Sequence, residues 1–574
     1  MRRVSNADIA RILAEIGQYL AMQSEAFKPR AYEKAAAAIS ELDHEVSEMY
    51  ARGKLKALEE IPSVGASIAE KIEELIRTGK SEYHRELAKK TPVDLGTLSR
   101  IEGLGPKSIK KLYDELGVRN MKELERAARA GKISKLEGFG KKSEDNILKS
   151  IESLKRWGNR FALDLALQES RVIAERLRSL PGVERVVVAG SLRRRKETIG
   201  DIDVLVVAKE AGRVMDFFVH APDAVRVYAH GETKSAIKLS SGLDVDLRVV
   251  PEESFGAALN YFTGSKEHNV ALRQIALRKG YKLNEYGLYK GKKQIAGRIE
   301  EELYRALGMD YIEPEMREDM GEIQLAQKHQ LPELVGYRDL MGDLQVQTNW
   351  TDGSHSIEAM ARAAAEAGLS YIAITDHTKR LAMTGGLDEK RVLAQISEID
   401  RVNKKLRGKI RVLKGSECDI LKDGTLDLSD SVLAKLDVVG ASVHSHFNLS
   451  RADQTKRISR AMENPHADIL FHPTGRIINR RSAYDADMDE LIRVAKKTGT
   501  VMEIDALPDR LDLKDEHVRK CVEAGVKLTI DSDAHSPQHF HVLEYGIAQA
   551  RRGFATRGDV INAWPIEKMQ TFLK

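Results

Sequence analysis

Only two cysteines, Cys418 and Cys521, occur in 574 residues, too few for a disulfide framework or a cysteine-rich zinc module. A reducing cytoplasm is the expected setting. No apolar run approaches the roughly 20 residues that a membrane span requires, and the opening MRRVSNADIARIL reads as an amphipathic helix without the apolar centre of a signal peptide. An excess of charge of one sign is lacking too: 92 Lys and Arg oppose 87 Asp and Glu, a formal net charge of +5. Any nucleic-acid surface must therefore be local. A chain of this length exceeds one hydrophobic core, so several domains are expected.

What is present centres on Ala189 to Ala208, AGSLRRRKETIGDIDVLVVA. Val186 to Val188 read as a buried strand ending at Gly190 and Ser191, and Asp201 to Val207 as a second strand. The period of two puts Asp201 and Asp203 on one face. Carboxylates held rigidly in an otherwise apolar strand suit a pair of magnesium ions that position a triphosphate. Gly190 and Ser191 offer backbone N–H groups and a hydroxyl to phosphate oxygens, and Arg193 to Arg195 offer positive charge. A third carboxylate is expected from LDVDLRVV, where Asp244 and Asp246 again share a face; periodicity does not choose between them.

The order GS, RRR, GDID, DVDLR and YFTGSKEHN resembles the palm and thumb of family X DNA polymerases. The resemblance implies a metal-binding catalytic triad of Asp201, Asp203 and Asp246, with Mg2+ or Mn2+. It departs at Asp244, where the family commonly carries an arginine. It also implies a nucleotide site of Arg160, Gly190, Ser191, Arg194, Gly200, Tyr261, Phe262, Gly264, Asn269 and Arg273, with Glu285 and Tyr286 near the template. An aromatic wall at Tyr261 and Phe262 would exclude a ribose 2′-hydroxyl sterically.

From Asn6 to about Leu154 the pattern is helical, and one phrase recurs: IPSVGASIAEKIEEL, IEGLGPKSIKKLYDEL and LEGFGKKSEDNILKSI. Each has an apolar residue, a glycine-containing turn and a helix start. The phrase resembles the helix-hairpin-helix module, which implies contacts from Val64, Gly65, Gly103, Gly105, Gly138 and Gly140 to DNA phosphates without sequence specificity. FKPRAYEKAAAAISEL strengthens the likeness to that family's N-terminal domain, in which Lys71 falls on a Schiff-base lysine. Ser67 stands where a second lysine is usual, and Lys34 is the cation expected to depress Lys71.

After a charged linker at 315–337 the pattern changes. Apolar runs alternate with helical stretches, and each run ends in a polar residue: DLQVQ, YIAITDH, IRVLKGSE, LDVVGASVH, ADILFHP, TVMEID and VKLTIDSDAH. This is the pattern of a β/α barrel with functional groups at strand C-termini. Asp352, His377, Glu417, His444, His472, Asp533 and His535 are ligand types for a multinuclear Zn2+ or Mn2+ centre. The motifs resemble the polymerase and histidinol phosphatase (PHP) domain, implying 3′–5′ exonuclease chemistry. In that family two histidines open the first motif, where Gln345 and Gln347 stand here. The resemblance puts them on one metal with Glu417 and Asp533; a second takes Glu417, His444 and His472, and a third Asp352, His377 and His535. Glutamine is a weak ligand for such ions, so one site is expected to be weakened.

The expected fold class is multidomain α+β: a helix-hairpin-helix domain at 1–90, a second at 91–155, a nucleotidyltransferase palm with a mixed sheet at 156–253, a thumb at 254–314, the linker, and the barrel at 338–574. The expected activity is DNA-templated filling of short gaps by a monomer acting on gapped or primer-template DNA with deoxynucleoside triphosphates. Alternatives are a template-independent nucleotidyltransferase, or a phosphoesterase or DNA-end-binding protein with an accessory polymerase half.

Overall fold

A computed structural model describes the chain apart from residues 1–3, 5, 26, 41, 43, 44, 100, 102, 158, 159 and 574. Two compact units emerge, one of residues 1–158 with 479–481 and one of 159–478 with 482–574.

The first unit is helical, with no strand among its described residues. Its three repeated phrases become three tight turns, each leading into an amphipathic helix: Ala66–Thr78, Pro106–Leu116 and Lys141–Trp157. The central turn position has a left-handed backbone, φ +81° at Gly103 and +83° at Gly138. In the first repeat Ser63 occupies it at +65°, a conformation that costs a residue with a Cβ about 1–2 kcal/mol. Gly65 and Gly105 are the residues before helix N-termini. Apolar residues at helical spacing, such as Ile68, Ile72 and Leu75, close the core.

In the second unit, after the helix Leu163–Arg178, comes a five-stranded mixed sheet: β1 Val183–Val188, β2 Asp201–Ala208, β3 Ala224–His230, β4 Lys234–Leu239 and β5 Asp244–Val249. Their spatial order is β1-β2-β5-β4-β3, with β2 and β5 parallel and the other pairs antiparallel. Ile202, Val204, Leu205 and Val206 bury β2 almost completely, each contributing about 1.5–3 kcal/mol of hydrophobic stabilisation. Helices Phe255–Thr263 and Lys266–Arg278 and a small sheet of Lys282–Asn284, Gly287–Lys290 and Lys293–Ala296 follow.

Seven parallel strands come next in chain order: β6 Gly342–Val346, β7 Tyr371–Ile374, β8 Arg411–Asp419, β9 Val438–Ser442, β10 Ile469–Leu470, β11 Val501–Asp505 and β12 Leu528–Asp531. Backbone bonds between Gln345, Gln347 and Ala534 bring the two edges together into a nearly closed barrel. The barrel is continuous with the rest of its unit, since Ala506, Leu511, Val542 and Tyr545 pack into the palm's apolar core and Phe554 into that of the thumb. The stretch 315–337, expected to be a linker, is correspondingly built into the structure. Arg317 is fully buried and donates to Glu300 at 2.6 Å, and Glu315 is buried against Arg551 at 2.8 Å.

Candidate active sites in the palm and the barrel

The parallel register of β2 and β5 sets Asp201 beside Asp244 and Asp203 beside Asp246, so four carboxylates share one face. Burial, followed by the charges of Asp201 and Asp246, pushes Asp203 up to about 7. Asp201 is raised by burial and then by Asp246 and Asp244. Crowded carboxylates of this kind call for cations. Lys234 lies 3.1 Å from Asp246 and Lys238 lies 2.9 Å from Asp244. Sequence periodicity left these two aspartates equivalent; Asp246 bears on both Asp201 and Asp203, and Asp244 bears on Asp201.

Beside the carboxylates opens a cavity of ≈770 Å³. Arg160, Gly190, Ser191, Arg194, Asp201, Asp203, Tyr261, Phe262, Gly264, Asn269 and Arg273 all line it, whereas Asp246, Gly200, Glu285 and Tyr286 are outside its lining. Arg160 is held by Thr198, its Nε 2.8 Å from the hydroxyl. Asn269 Nδ2 donates to the Tyr261 carbonyl at 2.7 Å, and Phe262 stands edge-on to Tyr261 and under Arg248. Gly190 adopts φ +65° at the start of the helical turn Gly190–Arg193, and a Cβ there would overlap the Asp203 carboxylate. Of the three consecutive arginines, expected together to face phosphate, Arg194 alone reaches the cavity lining. Arg193 is paired with Glu300 and bonded to Thr263, and Arg195 packs over Tyr337. Successive residues in a helical turn diverge by about 100°, so three consecutive side chains do not face one cavity.

In the barrel the expected ligands meet above the C-terminal ends of the strands. Glu417 is the hub: His377 Nδ1 lies 3.2 Å away, His444 Nε2 3.0 Å, His472 Nε2 2.9 Å and Gln347 Nε2 2.9 Å. Among the described residues two sets bring ligand atoms close enough for a cation, Asp352 with His377 and His535, and His377 with Glu417 and His444. His377 thus belongs to both, rather than to one as expected. Burial opposes the charge of Glu417, yet His377 and His444 hold it well below the usual carboxylate range. Burial likewise opposes charge on His444, which Glu417 and Asp419 raise to about 9. Nitrogen and carboxylate donors of this kind fit a transition-metal ion.

The position of Gln345 and Gln347 has a different chemistry. Both are fully buried, and neither polar atom of the Gln345 amide has a hydrogen-bond partner. Near Asp533 stands Arg510, a residue that sequence reasoning passed over, with Nε 3.2 Å from Asp505 and 4.0 Å from Asp533. Its one sequence signal is that it follows the end of β11 by five residues. The donor set there does not fit an imidazole-preferring metal. Lys71, in the first unit, donates to the Ser67 carbonyl at 3.0 Å and hydroxyl at 3.1 Å and lies over the Tyr83 ring.

Comparison with known proteins matches four segments of the chain and one relative along its whole length. Family models match for a helix-hairpin-helix domain at residues 4–81, a SAM-like helix-hairpin-helix tandem at 95–153, the DNA polymerase beta thumb at 258–318 and a PHP domain at 343–506. The DNA polymerase/3′-5′ exonuclease PolX of Bacillus subtilis (strain 168) is 39% identical over 575 residues, 99% of each chain. DNA polymerase lambda of Rattus norvegicus is 28% identical over 288 residues, 45% of this chain and 48% of its own. A probable phosphatase of Thermoanaerobacter sp. (strain X514) is 29% identical over 244 residues, 40% of this chain and 94% of its own. With the match to PolX running end to end, this chain belongs to the family X DNA polymerases that carry a C-terminal PHP domain.

Proposed function

We propose that the chain is a DNA-templated DNA polymerase that fills short gaps, with a barrel that trims 3′ ends. The observation that carries the first half is the row of carboxylates on β2 and β5 at the edge of a cavity walled by Arg160, Arg194 and Arg273. Asp201, Asp203 and Asp246 would hold Mg2+ or Mn2+. When bound, these ions neutralise phosphate charge and acidify the primer hydroxyl. The 3′ oxygen then displaces pyrophosphate from the nucleotide. Ser191 and the backbone at Gly190 are suited to bind phosphate oxygens, and Arg194 and Arg160 to stabilise the charge on the departing pyrophosphate. Tyr261 and Phe262 offer the wall against which a deoxyribose can pack. The helix-hairpin-helix turns, with Val64, Gly65, Gly103, Gly105, Gly138 and Gly140, would hold the DNA backbone on either side of the gap.

In the barrel, the two sets Asp352, His377, His535 and His377, Glu417, His444, with His472 against Glu417, would hold Zn2+ or Mn2+. Bound there, such ions activate water for phosphodiester hydrolysis. Substituting Asp201 and Asp203 by Asn should reduce primer extension on a gapped template at least 1,000-fold, on the scale of lost transition-state electrostatics. Shortening of the primer without nucleotides should survive that change and disappear in H444A/H472A. Extension surviving in the palm variant, or shortening that falls with it, contradicts this division of labour.

A further inference from the structure

The cavity beside Asp201 and Asp203 is not built by the polymerase half alone. Lys514 and Asp515, from the loop and helix that follow β11, line the same cavity as Arg194 and Ser191. So does Lys196, two residues beyond Arg194, whose ammonium is disfavoured first by burial and then by the charge of Arg552. The segment that delivers Lys514 is tied down along its length. Asp512 accepts from the Thr474 amide at 2.9 Å and hydroxyl at 2.8 Å, and exchanges backbone bonds with Asp505. Asp515 accepts from Arg552 Nε at 3.0 Å, and Arg552 donates onward to Glu318 at 3.1 Å and to the Arg194 carbonyl at 2.7 Å. Among the described residues Lys514 pairs with Glu516 at 3.3 Å, with its side chain 40% exposed. That leaves a solvent-accessible ammonium on a backbone fixed by these bonds.

We propose that Lys514, contributed by the barrel, acts with Lys196 as a binding subsite for the terminal phosphates of the incoming deoxynucleoside triphosphate. The physical argument is charge placement. Arg194 and Lys196 both face Glu318, at 3.0 and 3.5 Å, so part of their charge is already neutralised. A triphosphate brings about four negative charges, and Lys514 is a nearby cation with no buried partner to give up. The barrel is in this sense part of the polymerase pocket. The proposal rests on the polymerase reading above.

The test uses the full chain on a gapped duplex whose primer ends in a dideoxynucleotide, so that binding is measured without incorporation. Equilibrium affinity for the complementary deoxynucleoside triphosphate and for the corresponding monophosphate is compared in wild type, K514A and K514R. We expect K514A to weaken triphosphate binding roughly five- to tenfold, the scale of one charge-assisted contact. Monophosphate binding should be unchanged, and K514R should restore the triphosphate. Unchanged triphosphate affinity in K514A overturns the proposal, as does equal weakening of both ligands, which would mark a structural effect. A wild type that binds no triphosphate at all would defeat the polymerase reading itself, which this comparison separates from failure of Lys514 alone.

Discussion

Gly190 ties backbone conformation to the chemistry of the palm. Its φ of +65° is left-handed, and any Cβ would enter the space of the Asp203 carboxylate. Gly190→Ala should therefore displace Asp203, lowering the extension rate more than tenfold while primer shortening by the barrel continues, as gel assays on one preparation can compare. Glu300 is a second residue whose environment has a measurable sign. Burial alone would raise its pKa, but Arg317 and Arg193 hold it at about 2. A depressed carboxylate stabilises the folded state fully above its unfolded pKa and loses that contribution as pH falls toward the folded value. The contribution is on the order of 3 kcal/mol for this shift. Urea unfolding of wild type and E300Q should differ most at pH 7 and converge as pH falls from about 4.5 toward 2. A difference that stays constant to pH 3 would remove this role from Glu300.

At the level of elements, strand β6 carries the departure that matters most for the barrel. Gln345 and Gln347 share one face by the period of two, and both side chains are wholly buried. A neutral amide in place of imidazole removes two strong donors, and the Arg510 guanidinium, bridging toward Asp505 and Asp533, supplies positive charge nearby. Restoring imidazoles in Q345H/Q347H should raise tightly bound zinc or manganese by one equivalent per chain, measured by elemental analysis after dialysis. An unchanged metal content would mean that Arg510 excludes the ion whatever β6 offers. The helical turns of the first unit illustrate the reverse case, where the element was legible outright. Three copies of one phrase yield three turns, and even Ser63 adopts the left-handed backbone found at Gly103 and Gly138.

On the scale of the whole molecule, Arg552 joins three domains. It is fully buried in the barrel, yet it binds Asp515, Glu318 and the carbonyl of Arg194. Arg552→Ala takes the closest counter-ion from the partly buried Asp515 and one of three from Glu318, which keeps Arg194 and Lys196, a loss of about 3 kcal/mol. We expect a lower melting temperature together with a raised KM for nucleotide, because Glu318 and Arg194 lose a common anchor. A variant that melts lower with its nucleotide KM unaltered would confine Arg552 to stability.

Local chemistry determined much of this protein. The period of two in DIDVLVVA put Asp201 and Asp203 on one face, the repeated phrase marked the helix-hairpin-helix turns, and polar residues after successive apolar runs announced the rim of a parallel barrel. Such features are written within a few residues of one another, and strand or helix geometry converts them directly into shared faces. Other features depended on which distant segments pack together. Nothing near Arg193 in the chain indicated that Glu300 would take it away from the phosphates, and nothing near Arg510 indicated that it would lie beside Asp533. The apparent linker at 315–337 became a buried ion-pair layer because Arg317 and Glu315 meet partners 17 and 236 residues away. Lys514 reaches the cavity beside Asp201 and Asp203 for the same reason: the apolar cores of palm and barrel are continuous, and burying that shared surface carries the segment after β11 to the edge of the palm.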